Sequence, residues 1–130
     1  MAVRAFLALM TLVWLPYGLY CLFAPDTLET MAGVKALNPT ANVELRAMYG
    51  GVQAAIGVLV GLALLREWLR VPALTALGFL ALGLGTSRLI GCLIEGDQSF
   101  YNVSALVFEL IVGVVALRLL ASLTRDPATV

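Results

Sequence analysis

The chain has 130 residues, 62% of them hydrophobic and 12% charged, with eight basic and eight acidic side chains and a formal net charge of zero. A soluble domain of this length would carry about twice that charge, and no basic patch exists for a nucleic acid to bind. His is absent and the two Cys are not spaced C-x-x-C, so the commonest metal ligand and general base is missing and no redox or zinc motif forms; no metal and no cofactor is expected.

The apolar residues fall in four long blocks, each near the roughly 20 residues that cross about 30 Å of hydrocarbon. The expected fold is all-α. A single transmembrane domain covers 1–130 as a four-helix bundle, with spans at about 5–24, 43–65, 72–94 and 101–120 and a short interfacial helix between spans one and two. The N-terminus has the look of a signal peptide, Arg4 followed by an apolar run. That run is long for such a segment, and Ala24, preceded by Leu22 at −3 and followed by Pro25, makes a poor cleavage site. A retained first span is expected.

Pro16 sits mid-span, where it removes one helical hydrogen bond and is expected to kink the helix, which a membrane bundle tolerates. Trp14, Tyr17 and Cys21 share a face, and Tyr20 and Phe23 mark an interfacial belt. Asp26 and Glu29 resemble a capping box opening a short helix with Leu28, Met31 and Ala32 on its apolar side and Gly33 at its end. Asn38-Pro39 signals a turn, and Asn42 is placed to cap span two. Arg66–Arg70 forms a tight basic-aromatic turn, and Pro72 suits the first turn of span three. Glu95–Ser99 is a polar turn, and Thr124–Val130 a frayed tail.

Loop charge sets the orientation. Arg4, Arg66, Arg70, Arg118 and Arg125 fall on one side, while Lys35 is the only loop cation on the other, against Asp26, Glu29, Glu95 and Asp97. Both termini are expected in the cytoplasm, with the 25–41 loop and the 95–100 turn facing out.

The most informative stretch is Asn42–Gly61, NVELRAMYGGVQAAIGVLVG. On an α-helix Arg46, Tyr49 and Gln53 share one face, and Gly50, Ala54, Gly57 and Gly61 fall on the adjoining sector. Arg88 on span three and Glu109 on span four reach the same depth by rise per residue, with Asn102 placed to fill a remaining hydrogen-bond position. An uncompensated charge in mid-membrane costs about 2.5–3.5 kcal/mol, so these groups should turn inward. Arg88 is expected to pair with Glu109. Arg46 is left for an anionic ligand or for Glu44, whose simplest reading is a carboxylate favoured by its helix N-terminus. The cluster of Arg46, Tyr49, Gln53, Arg88, Asn102, Glu109 and Glu44 reads either as a ligand site or as an ion-pair latch that fixes helix register.

Gly50, Gly51, Gly57, Gly61, Gly85 and Gly113 read first as close-packing positions, Gly57-x-x-x-Gly61 being a common form. Cys21 and Cys92 lie near the ends of their spans; a disulfide between them is one reading, two inert thiols the other. Tyr17, Tyr20, Phe100 and Tyr101 read as interface anchors.

The segment N-x-E-L-R-A-M-Y-G-G (Asn42–Gly51), the later S-R-L-I-G (Ser87–Gly91) and a last span holding Glu109 resemble an uncharacterised family of bacterial four-helix inner-membrane proteins, distantly similar to the DoxX-like group. The resemblance covers nearly the whole chain. It implies a four-span bundle in a bacterial inner membrane, with Glu44, Arg46, Tyr49, Gly50, Gly51, Arg88 and Glu109 as signature positions, and it supplies no activity.

Three functions compete. The first is a non-enzymatic protein that holds a lipid or small amphipathic molecule, or serves as accessory subunit of a larger membrane complex; its partners would be the bilayer, such a ligand, and a membrane protein or a second copy of itself. The second is an enzyme on a lipophilic substrate, in the manner of four-span glutathione-dependent transferases, which the absence of His and of any Cys–base pair disfavours. The third is a small proton-coupled transporter, disfavoured because span one has no acid and Glu109 has cationic neighbours.

Overall fold

The computed structural model describes residues 1–125. The tail expected from Thr124 to Val130 therefore lies, beyond Arg125, outside the described residues. Helix α1 runs Ala2–Phe23 and continues through Pro16. The short α2 covers Thr27–Ala32. The next span is built of α3 (Pro39–Leu45), a π-helical turn (Arg46–Gly51) and α4 (Val52–Leu65). A 3₁₀ turn (Glu67–Leu69) leads into α5 (Arg70–Glu95), and α6 covers Phe100–Thr124. The described residues contain helices and no strand.

Four helical segments, Ala2–Phe23, Pro39–Leu65, Glu67–Glu95 and Phe100–Thr124, are long and apolar enough to cross a membrane. Large apolar side chains such as Leu12, Phe79 and Leu93 stand exposed on them, which is the surface hydrocarbon would cover. The chain is a small multi-pass membrane protein.

Two local expectations are corrected. Asp26 does not head a capping box: its backbone is already helical and its side chain makes no cap bond, while Thr27 Oγ1 donates to Ala24 O instead (2.7 Å). Nor does Asn42 cap span two. Asn38 does, its extended backbone and its Oδ1 accepting from the Ala41 N–H at 2.9 Å. Pro39 explains the shift: it forces an extended Asn38 and itself brings a helix-ready φ and no N–H to satisfy, so the helix starts four residues early. Gly33 does end α2, in the left-handed conformation (φ 69°) that a side chain would strain. In the same loop Lys35 Nζ pairs with Glu29 Oε1 at 2.8 Å, and that hydrogen bond raises the lysine's pKa above its ordinary value.

The chain divides into two compact units, Met1–Arg70 and Val71–Val130. In the first, α1 lies along the π-turn and α4 with small residues at each crossing. A Cβ on Gly57 would stand 2.5 Å from Leu15 N, one on Gly50 2.6 Å from Leu22 Cα, and one on Gly61 3.2 Å from Thr11 Cγ2; one on Gly18 would run into the main chain of Gln53 and Ala54. The successive pairs step evenly along both helices, the signature of an antiparallel pair in backbone contact. Gly51 is the exception, with nothing nearer than Arg46 O at 3.8 Å, so it is not a packing glycine.

In the second unit α5 and α6 form an antiparallel hairpin. Cβ atoms on Gly78, Gly85 and Gly113 would meet Leu117 Cδ2 at 2.5 Å, Leu110 Cδ2 at 3.0 Å and Leu82 Cγ at 2.5 Å. Here leucine side chains come nearest to the notch each glycine leaves.

Candidate functional site

The polar residues of the expected cluster belong to both units, and each group has its own chemistry. In the first unit the π-turn decides. Val52 N–H reaches back to Ala47 O, an i→i−5 bond that widens the turn by about one residue. At 3.6 residues per α-turn one extra residue offsets Arg46 by about 100° from its α-helical register with Gln53. Arg46 instead donates from Nη1 to Leu22 O, a carbonyl in the last turn of α1. Such carbonyls lack partners within their own helix, and a guanidinium there also complements the negative end of the helix dipole. Gly50 makes the approach, because its missing Cβ is what lets the π-turn touch the Leu22 backbone. Arg46 thus caps the last turn of α1. Glu44 is exposed and Tyr49 and Gln53 are half-buried; among the described residues none of the three joins Arg46 in a hydrogen bond or ion pair.

The second unit holds a continuous polar chain. Arg88, on α5, donates from Nε to Glu109 Oε2 (3.0 Å) and from Nη2 to Glu109 Oε1 (2.7 Å), a fork-to-fork pair. The glutamate side chain is 8% exposed and the arginine 23%, so the pair is largely shielded from water. Arg88 Nη1 donates to Asn102 Oδ1 at 2.9 Å, and its guanidinium lies 5.7 Å from the centre of the Tyr101 ring, within cation–π reach. Asn102 passes the chain on, its Nδ2 donating to Asp97 Oδ2. Asp97 also accepts from Ser99 N (2.8 Å) and Ser99 Oγ (3.0 Å). These donors, the Ser99 backbone first, hold the Asp97 carboxyl below the ordinary carboxylate range. Ser99 in turn caps α6, accepting from Asn102 N at 3.4 Å, and Gly96 turns the chain with φ 66°.

Beside this chain lies an open cleft of about 410 Å³, lined by Leu84, Ser87, Arg88, Gly91, Cys92, Glu95, Asp97 and Asn102. Its size is that of a small-molecule site. On α5 the lining positions follow one helical stripe, from apolar Leu84 to acidic Glu95, about 16 Å apart at 1.5 Å per residue. Cys92, on the cleft wall, is a half-buried thiol, and Cys21, in the first unit, a buried one. Among the described residues no three His, Cys, Asp or Glu side chains gather as a metal site.

Several contributors lie outside the cluster expected from the sequence: Leu84, Ser87, Gly91, Glu95 and Asp97 line the cleft, and Ser99 holds Asp97. Tyr101 was read as an interface anchor and lies against Arg88. The Asp-x-Ser spacing just before a helix start is the signal that was available, since such side chains bond the backbone two residues on.

A family model described as a domain of unknown function (DUF4345) matches residues 2–120. No curated protein matches the chain. No solved structure matches it.

Proposed function

Because the chain belongs to this DUF4345 family, whose function is unknown, its chemistry must be read from its own side chains, and we propose that it is a non-enzymatic membrane protein that binds a lipid or small amphipathic molecule in the cleft of the α5–α6 hairpin. The observation that carries this is the cleft itself, about 410 Å³, running from Leu84 to the Glu95–Asp97 turn beside a polar chain anchored by Arg88 and Glu109. A cleft with an apolar end and a polar end matches an amphipathic guest.

The chemistry supports binding over turnover. Ser87 and Cys92, the cleft's hydroxyl and thiol, have no hydrogen bond to a base among the described residues, and a nucleophile without one is weak. Arg88 has both sides of its fork on Glu109, so the one acid of the last span is engaged in an ion pair within the hairpin. By the arginine bias of the loops the cleft faces the outer leaflet of a bacterial inner membrane and both termini lie in the cytoplasm.

The test fills the cleft without disturbing the fold. A Cβ on Gly91 meets nothing within 4 Å, so Gly91→Leu occupies the cleft and leaves helix packing intact. Native mass spectrometry on protein extracted with its lipids should show a bound small molecule or lipid on the wild type and none on Gly91→Leu, at equal helicity. Equal retention by both, or a bare chain in both, overturns the reading. A retained protein subunit would instead make the chain an accessory of a larger complex.

A further inference from the structure

The charges around the cleft specify its guest further. Arg88, the cleft's one cation, is matched charge for charge by Glu109 through two hydrogen bonds, and a third N–H goes to Asn102. Asn102 is used at both ends, its oxygen by Arg88 and its nitrogen by Asp97, so it has no donor pair to offer an anion. Asp97 is held by Ser99 and Asn102, all neutral donors. Hydrogen bonds from neutral groups steady a carboxylate's negative charge without cancelling it. Glu95 lines the same end and stands exposed, in no ion pair among the described residues. The cleft therefore carries net negative charge at its polar end, although its most conspicuous side chain is an arginine.

Resting on the binding reading above, we infer that the guest is an amphipathic cation, an ammonium group on an apolar chain, with the ammonium between Glu95 and Asp97 and the chain running along Gly91 towards Leu84. The stripe on α5 sets this polarity. Its acid end lies at the helix terminus, where water reaches, and its Leu84 end lies within the apolar span. An anionic headgroup in the same place would share that end of the cleft with two carboxylates. A free amphipathic amine and a lipid with an ammonium headgroup share the chemistry.

Three single-chain probes separate the cases: dodecylamine, dodecylphosphocholine and dodecanoate, titrated into the full chain in nanodiscs of neutral lipid, with the amide resonances of Gly91 and Asn102 as readout. Dodecylamine should give saturable shifts that weaken as salt is added. Glu95→Gln should weaken its binding about fivefold, the size of one partly screened charge contact, and Gly91→Leu should abolish it. Saturation by dodecylamine alone assigns the site to a free amine; saturation by dodecylphosphocholine as well assigns it to a lipid ammonium, and both support the inference. Saturable binding of dodecanoate, lost in Gly91→Leu, would overturn the charge assignment and leave the binding reading standing, as would a Glu95→Gln variant equal to the wild type. No saturable, Gly91-sensitive binding of any probe would overturn both.

Discussion

Arg88 and Glu109 meet fork to fork, Nε to Oε2 at 3.0 Å and Nη2 to Oε1 at 2.7 Å, and beside them α5 and α6 approach so closely at Gly85 that a Cβ there would stand 3.3 Å from the Glu109 Cβ. A glycine and an ion pair thus solve one problem together. The small residue lets the helices approach, and the approach lets a charged pair close where neither charge is well hydrated.

That arrangement predicts an asymmetric response to mutation. Glu109→Leu leaves the guanidinium without its counter-charge and should cost about 3 kcal/mol, as removing one member of a buried pair does. The double variant Arg88→Met with Glu109→Leu removes both charges and should return to within about 1 kcal/mol of the wild type. Thermal unfolding in a mild detergent, followed by circular dichroism, compares the three. A double variant no better than the single would mean that the pair stabilises the hairpin by more than charge matching.

Asn102 is the hinge between the ion pair and the turn, bonding Arg88 on one side and Asp97 on the other. Asn102→Ala should cost about 1.5 kcal/mol, the value of hydrogen bonds to charged partners in a partly wet site. Asn102→Asp should be worse than its small change in size implies, because it sets a second carboxylate against Asp97. Unfolding midpoints of the two variants test the order.

Asp97 makes the turn sensitive to acid. Its folded pKa is depressed by the Ser99 backbone N–H and by the Asn102 and Ser99 side chains, below the usual 3.8. A depressed carboxylate contributes stability above its unfolded value and loses it as pH falls through the folded one. Amide exchange at Ser99 and Asn102 should therefore show constant protection at neutral pH, corrected for intrinsic rates, and declining protection once pH drops below about 4. Asp97→Asn should abolish that pH dependence.

The glycines divide into two kinds, and substitution to alanine tells them apart. Gly57→Ala puts a methyl 2.5 Å from Leu15 N and Gly50→Ala puts one 2.6 Å from Leu22 Cα; main chain cannot step aside, so each should cost about 1–3 kcal/mol. Gly83 and Gly91 meet nothing within 4 Å, and alanine there should be neutral or stabilise by up to about 1 kcal/mol through helix propensity. Melting temperatures of the four variants, measured in one detergent, should fall into two separate groups.

How much of this the sequence discloses depends on the length scale of each feature. Four spans are legible because hydrophobicity integrates over 20 residues. The contact of Arg88 with Glu109 is legible because a lone charge at that depth is costly and only one acid on the next span sits at the right height. The π-turn leaves no such trace: one extra residue in a turn changes neither composition nor hydrophobicity, yet it shifts the register of Arg46 against Gln53. The Asp97 link was hidden for another reason. A polar residue in a short turn looks like solvent-facing punctuation, and its reach into the hairpin through Asn102 depends on where α6 starts, at Phe100. The negative balance of the cleft follows from the same blindness, since counting arginines without their partners gives the opposite sign.

The π-turn itself gives the last prediction. Its consequence is the bond from Arg46 to Leu22 O, which joins α1's C-terminal turn to the first third of the next span. Arg46→Met keeps the length and apolar stem of the side chain and removes the donor and the charge, and should cost about 1–2 kcal/mol as an uncapped helix end does. Deleting Gly51, whose Cβ position meets nothing nearer than 3.8 Å, should let the helix close to α-geometry and swing Arg46 by about 100°. The deletion would then lose the cap and also misplace Gly50 against Leu22, so it should be more damaging than Arg46→Met. Combining the deletion with Arg46→Met should add little, because the donor is already out of reach. Unfolding of the three variants forms a coupling cycle. If the two changes instead add fully, the π-turn does not act by aiming Arg46, and the widened turn serves the Gly50–Leu22 contact alone.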